Sequence, residues 1–408
     1  MKYGILGILI LCIWGCGKNE VSVLAAATDT TRRPVYMDTP YAQEYAVKYE
    51  LSKDQKTKGV QDIISDRNGN IQILSNHALL VPENGQQFYS GTLTPDISYS
   101  PMAAKNIAAF AKYQDHTVYL DDIHVFSNAW AGKIQIAHGL ENPKLLTAGK
   151  DFHFLVYNGK QLAYLNQENQ ELKLPADTDI SQILYQETEN RFLLVSPEKI
   201  MAFIPGEPLK ELYVGSGITC AALTNEGSKI VVGTSTGYFY IGENKLFKNV
   251  PWPEITTMQE IDGSLWFGTT WGAYKLLENG SYSYYSGERW LPGNEVVGMA
   301  KGPKKSVLIL TNNGVGSIQT DFMTLEDKAM FYEKQVRKKN IRYGFNCSVS
   351  KLPNGYASAV MKDQPSDNLW TAMYLVSQLY RYKVTGSEEA KQNAYESFEA
   401  LERLHHIT

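Results

Sequence analysis

Several signatures are missing from this 408-residue chain. It has four cysteines, two of them inside the first 16 residues, with no CxxC pair, so a disulfide framework, a zinc ribbon and a thiol redox motif are all excluded. Its 39 Lys and Arg against 43 Asp and Glu leave a net charge of -4, without the basic stripe that nucleic acid requires, and no nucleic-acid partner is expected. No phosphate-binding glycine loop, His-x-x-x-His pair or Ser-His-Asp order occurs, and the seven histidines are scattered. No cofactor and no metal are expected. One apolar run stands out, Tyr3 to Trp14, about a dozen residues where a bilayer span needs about 20.

Glycine (32), tyrosine (26) and tryptophan (7) are plentiful, which suits many short strands joined by tight turns. Lys2, the apolar run and Gly15 before Cys16 have the order of an export signal, with a basic start, a short apolar stretch and a small residue at the cut. Ile13-Trp14-Gly15-Cys16 resembles the lipobox of bacterial lipoproteins. That resemblance implies removal of residues 1–15, a diacylglycerol on the Cys16 thiol, a tether over 16–40, and a membrane-anchored protein outside the cytoplasm, at the outer membrane or surface of a Gram-negative cell.

From Tyr45 onward, a phrase of turn, short apolar strand and small polar residue returns seven times, at Ile71, Val118, Phe154, Phe192, Ile230, Leu265 and Val307. A period near 40 with several strands per unit predicts the blades of a β-propeller, each a small sheet that neighbours must cover on both faces. The fold class is therefore mainly β: a seven-bladed propeller over 41–320, then a small helical segment over 321–408. The last repeat has three strands of its own, and Tyr45–Leu51 is available as the fourth, which would close the ring. Leu265-Trp266-Phe267-Gly268-Thr269-Thr270-Trp271-Gly272-Ala273-Tyr274, with Trp290-Leu291-Pro292-Gly293-Asn294 after it, resembles the two-component-regulator propeller repeat. The Thr-x-x-Gly turn of that repeat recurs at Thr234–Gly237 and Thr311–Gly314. The resemblance implies an extracytoplasmic propeller, a fold that leaves function open.

After Thr320 the pattern becomes helical. Leu325–Asn340 reads as one helix, Leu369–Tyr382 as a second that buries Leu369, Trp370, Met373 and Tyr374, and the stretch after Ser387 as a third with a stripe of Ala390, Ala394, Phe398 and Leu401. Ser366-Asp367-Asn368-Leu369-Trp370-Thr371 through Glu402-Arg403-Leu404 resembles the opening hairpin of the α/α toroids of secreted glycan-active proteins. The resemblance implies the front of such a toroid, of which one hairpin is present before Thr408.

In a propeller, the turns between the second and third strands open on the face that also carries the blade-to-blade connections. The register places Asn76, His77, Asp122, His124, Asn158, Trp271 and Asn313 in those turns and Trp290 in a connection. Amides, carboxylates, imidazoles and tryptophans suit a carbohydrate, whose hydroxyls take polar partners and whose C–H faces pack on rings. Turns demand Asn and Asp in any case, but no turn requires a tryptophan at its tip. Three functions stay open: binding of a glycan or glycan-bearing partner, a polysaccharide lyase or glycoside hydrolase with a cleft between propeller and helices, and a protein-binding scaffold of the envelope. No catalytic residue is assigned.

Overall fold

A computed structural model describes residues 37–98, 102, 104–166, 172–175, 179–243, 247–350, 359–362 and 366–406. The proposed signal peptide and Cys16 lie outside these residues. The chain divides into two compact units, one of residues 43–321 and one containing 322–408 together with the N-terminal residues.

The larger unit is β. Among the described residues its strands form seven antiparallel meanders in chain order: blade 1 (62–95), blade 2 (109–137), blade 3 (145–175), blade 4 (182–214), blade 5 (218–240), blade 6 (255–285) and blade 7 (296–323). The first strand of each blade neighbours the first strand of the next, and the cycle closes from Val296–Lys301 back to Asp62–Ser65. Both faces of the middle strands are buried, which explains why Phe192–Val195 and Val307–Thr311 are apolar runs rather than alternations. The core of the described residues is divided accordingly into seven clusters, one between each pair of adjacent blades. Trp266, Ala273 and Tyr285 of blade 6 meet Met299, Ile309 and Ile318 of blade 7. Ile63, Ile73 and Leu80 of blade 1 meet Leu308, Leu310 and Val315 of blade 7, so the ring has no open seam.

The strand Tyr41–Glu50 is the outermost of blade 7, lying beside Gly314–Met323. It is held there by Tyr285, whose hydroxyl donates to Glu44 at 2.9 Å, and by the Leu51 N–H, which donates to the Asn313 carbonyl at 3.0 Å. Joining the first strand to the last sheet gives the outer edge of that blade a partner and makes closure depend on contacts far apart in sequence. Blade 5 is the least complete. It has three strands among the described residues, and its outer edge is the single bridge Tyr238–Lys248.

In the smaller unit, helix α1 (Leu325–Lys339) starts at Thr324, whose side chain accepts from the Asp327 N–H while Asp327 reaches back, a reciprocal cap. Helices α2 (Asp367–Thr385) and α3 (Glu388–His405) form a hairpin turned at Gly386. The sequence pattern misplaces the buried face of α2. Leu369, Trp370 and Met373 are about half exposed, whereas Tyr374 is buried as expected, together with Thr371 and Gln378. The cause is a buried carboxylate on α1. Glu333 accepts from Tyr374 (2.7 Å), Gln378 (2.7 Å) and Asn393 (2.9 Å), and an acid sealed from water turns donors, not aliphatics, toward itself. Ala390 and Ala394 are buried as expected, whereas Phe398 is exposed.

Candidate functional site

The turn face is built by a local device that repeats in blades 5, 6 and 7. In each Thr-x-x-Gly turn the threonine is buried, and its hydroxyl both donates to the glycine carbonyl and accepts a backbone N–H from the residue between. The distances are 2.9 and 3.1 Å at Thr234, 2.8 and 3.0 Å at Thr269, and 2.8 and 3.3 Å at Thr311. Glycine is needed at the fourth position for two reasons. Its φ is +92° at Gly272 and +144° at Gly314, and a Cβ at Gly272 would come 2.6 Å from the Ser286 Cβ. The turn is thereby pinned at its base while its two central residues point outward.

Blade 6 presents Thr270 and Trp271 in this way. Trp271 is 52% exposed and lies against Trp252, 39% exposed, with ring centroids 5.9 Å apart and planes at 34°. Trp252 comes from the connection between blades 5 and 6, where it lies in a bend and the flanking Pro251 and Pro253 restrict the backbone. Its Nε1 donates to the Thr270 hydroxyl at 2.7 Å, and that hydroxyl donates to Glu254 at 2.6 Å. Glu254 thus fixes the hydroxyl, the hydroxyl fixes the indole, and two neighbouring rings are left facing water with a carboxylate beside them. A preorganised aromatic pair of this kind offers apolar area without rotamer entropy to lose.

The other expected residues are distributed around the ring. Asn76 and His77 occupy the blade 1 turn, both exposed and both with positive φ, and the His77 carbonyl accepts from the Ile107 N–H. Asp122 is exposed and accepts from Asn106 at 2.9 Å, while His124 is partly exposed beside Asp121. Asp121 accepts from the N–H groups of Ile123 and His124 and pairs with Lys105, and these donors hold its carboxyl below the usual range despite burial. Asn158 uses its side chain to close its own turn, accepting from Lys160 and Gln161. Asn313 sits in the blade 7 turn. Trp290 is half-buried, edge-on to Tyr285 at 5.1 Å with Arg289 stacked over it, so most of its surface serves packing. Of the eight residues, Trp271 is the one joined to a second exposed aromatic. Sequence reasoning missed Trp252 and Glu254; the Pro-Trp-Pro phrase was the available signal.

A cavity of about 780 Å³ runs along the axis, lined by the first strands of all seven blades. Asp62 stands at its turn-face end, next to Gln61, which accepts from the Asn76 N–H. Water reaches the Asp62 side chain through the channel, yet the protein around it displaces most of its hydration and pushes its carboxyl up to about 6. Among the described residues, no group of three or more His, Cys, Asp or Glu is placed to hold a metal, and no helix is long and apolar enough to cross a membrane.

No protein-family model matches the chain, and no curated protein matches it. Solved structures do. The extracellular domain of a hybrid two-component system of B. thetaiotaomicron superposes with a TM-score of 0.52 at 13% identity, covering 68% of this chain and 39% of that one. A streptogramin B lyase superposes with a TM-score of 0.51 at 12% identity, covering 68% of this chain and 98% of that one. Virginiamycin B lyase from Staphylococcus aureus gives 0.50 at 12% identity over 68% of this chain and 99% of its own. This chain spans about two fifths of that extracellular domain's length and nearly all of the lyases'. At these identities the likeness is one of fold, and the shared fold is the β-propeller.

Proposed function

We propose that this chain is an extracytoplasmic, lipid-anchored propeller that binds a glycan or glycan-bearing partner on the face carrying the turns between second and third strands. The observation that carries the reading is the exposed Trp252–Trp271 pair, locked by Thr270 and Glu254. Sugar rings present C–H faces that pack on indoles and hydroxyls that pair with carboxylates and amides, and both kinds of partner are present here. Anchoring through Cys16 rests on the lipobox-like N-terminus. A place outside the cytoplasm also agrees with the extracellular domain of a two-component system that shares the fold. The helical unit is read as the front of an α/α toroid.

The test is affinity electrophoresis and calorimetry of the full chain against a panel of soluble polysaccharides. Binding to at least one, weakened tenfold or more in Trp271→Ala, is expected. Equal affinity in wild type and Trp271→Ala would place the ligand elsewhere. Release of oligosaccharides during the titration would move the reading to a lyase or hydrolase.

A further inference from the structure

Blade 5 carries a second feature on the same face. A cleft of about 160 Å³ lies between the last strand of blade 4 and the Thr-x-x-Gly turn of blade 5. Three rings line it in a row: Tyr213 and Phe239 have centroids 4.9 Å apart, and Phe239 and Phe247 6.1 Å apart. The remaining lining is small and hydroxylic, with Ser216, Ser235 and Thr236 around the backbone of Gly217. The turn beneath is rigid, because the buried Thr234 accepts from the Thr236 N–H and donates to the Gly237 carbonyl. Among the described residues, no carboxylate, ammonium, guanidinium or imidazole lines the cleft.

Two aspects of this composition need an occupant. Phe247 is 46% exposed although its ring leads the row that continues into buried Phe239, so apolar surface is left wet where the fold has no use for it. The cleft holds on the order of five waters, and those against the rings have few partners to lose on displacement. A charged group entering would find no counter-charge among the described lining residues and would be desolvated at a cost, whereas a methyl group would cover the rings and flanking hydroxyls would pair with the serines and Thr236.

We infer that this cleft is a subsite for one neutral sugar residue bearing a methyl group, as in a 6-deoxyhexose or an N-acetylhexosamine. It rests on the glycan reading above and deepens it. The connection between blades 5 and 6 supplies Phe247 to the cleft and Trp252 to the tryptophan pair, so one chain segment serves both.

The experiment is saturation-transfer NMR with titration of the full chain. The probes are L-fucose, L-rhamnose and N-acetyl-D-glucosamine, against L-galactose, L-mannose and D-glucose, their counterparts without the methyl group. The expected result is that at least one methyl-bearing sugar binds fivefold or more tighter than its counterpart, with strongest saturation on the methyl protons. Phe247→Ala should then lose that preference, with Thr236→Val as the second variant should the first unfold. If a polysaccharide binds and needs Trp271, but the methyl preference is absent or survives in Phe247→Ala, the subsite is overturned and the glycan reading stands. If no sugar and no polysaccharide binds, both fall.

Discussion

Removal of one buried hydroxyl, in Thr269→Val, tests the turn that displays Trp271. Valine has nearly the shape of threonine, and Thr269 is fully buried, so packing is conserved and the change isolates two hydrogen bonds. The Gly272 carbonyl loses its donor at 2.8 Å and the Trp271 N–H loses its acceptor at 3.0 Å. Each neutral bond contributes about 1 kcal/mol, and leaving the Gly272 carbonyl buried without that donor adds desolvation, for about 2–3 kcal/mol in total. For a unit of this size that corresponds to a fall in Tm of about 3–5 °C. Thermal and urea melts of wild type, Thr269→Val and Thr269→Ser measure it, with serine expected to recover most of the loss. Freed of its anchor, Trp271 should also bind more weakly than in wild type. A melting point within 1 °C of wild type would refute the argument that this hydroxyl holds the turn.

Three further outcomes follow from the same structure. Gly314→Ala would drive a Cβ into the Tyr49 carbonyl at a φ of +144°, so it should cost about 3 kcal/mol or more and loosen the closing strand, seen as faster amide exchange over 41–50. Asp62 has its folded pKa raised to about 6 from 3.8, so the folded state gains protons relative to the unfolded one; stability should fall as pH rises through about 4 to 6, and Asp62→Asn should melt higher than wild type at pH 7.5 and flatten that part of the pH profile. Glu333→Ala strands the donors of Tyr374, Gln378 and Asn393, which should destabilise the helical unit by about 3–5 kcal/mol, read as an early helical transition in circular dichroism while the β-sheet transition stays in place.

Much of the propeller was legible because its physics is periodic. A blade buried on both faces must spend apolar residues on its middle strands, and Ile71, Val118, Phe154, Phe192, Ile230, Leu265 and Val307 each fall in the second strand of a separate blade. The Thr-x-x-Gly phrase was readable in blades 5 to 7 and absent from 2 to 4 because those blades solve the same turn with other side chains. Asp121 accepts two backbone N–H groups, Asn158 does likewise, and Ser196 accepts from Lys199. The candidate site was half legible. Trp271 stood out because no turn requires it, whereas its partner Trp252 lies in an irregular connection, where no period announces which face a residue takes. The buried side of α2 was misread for a different reason: apolar periodicity assumes an apolar partner, and there the partner is Glu333. On α2, Tyr374 and Gln378 face that carboxylate where Leu369 and Met373 were expected to be buried.

The central claim is that a glycan docks on the blade 5 to 6 sector of the turn face. Hydrogen exchange with and without the best-binding polysaccharide tests it most directly, since it locates the ligand without assuming a residue. The account predicts slowed exchange at 247–254 and 269–272, with the far end of the channel around Lys112 and Lys301 unchanged. Protection confined to that far end, or to helices α2 and α3, would contradict it.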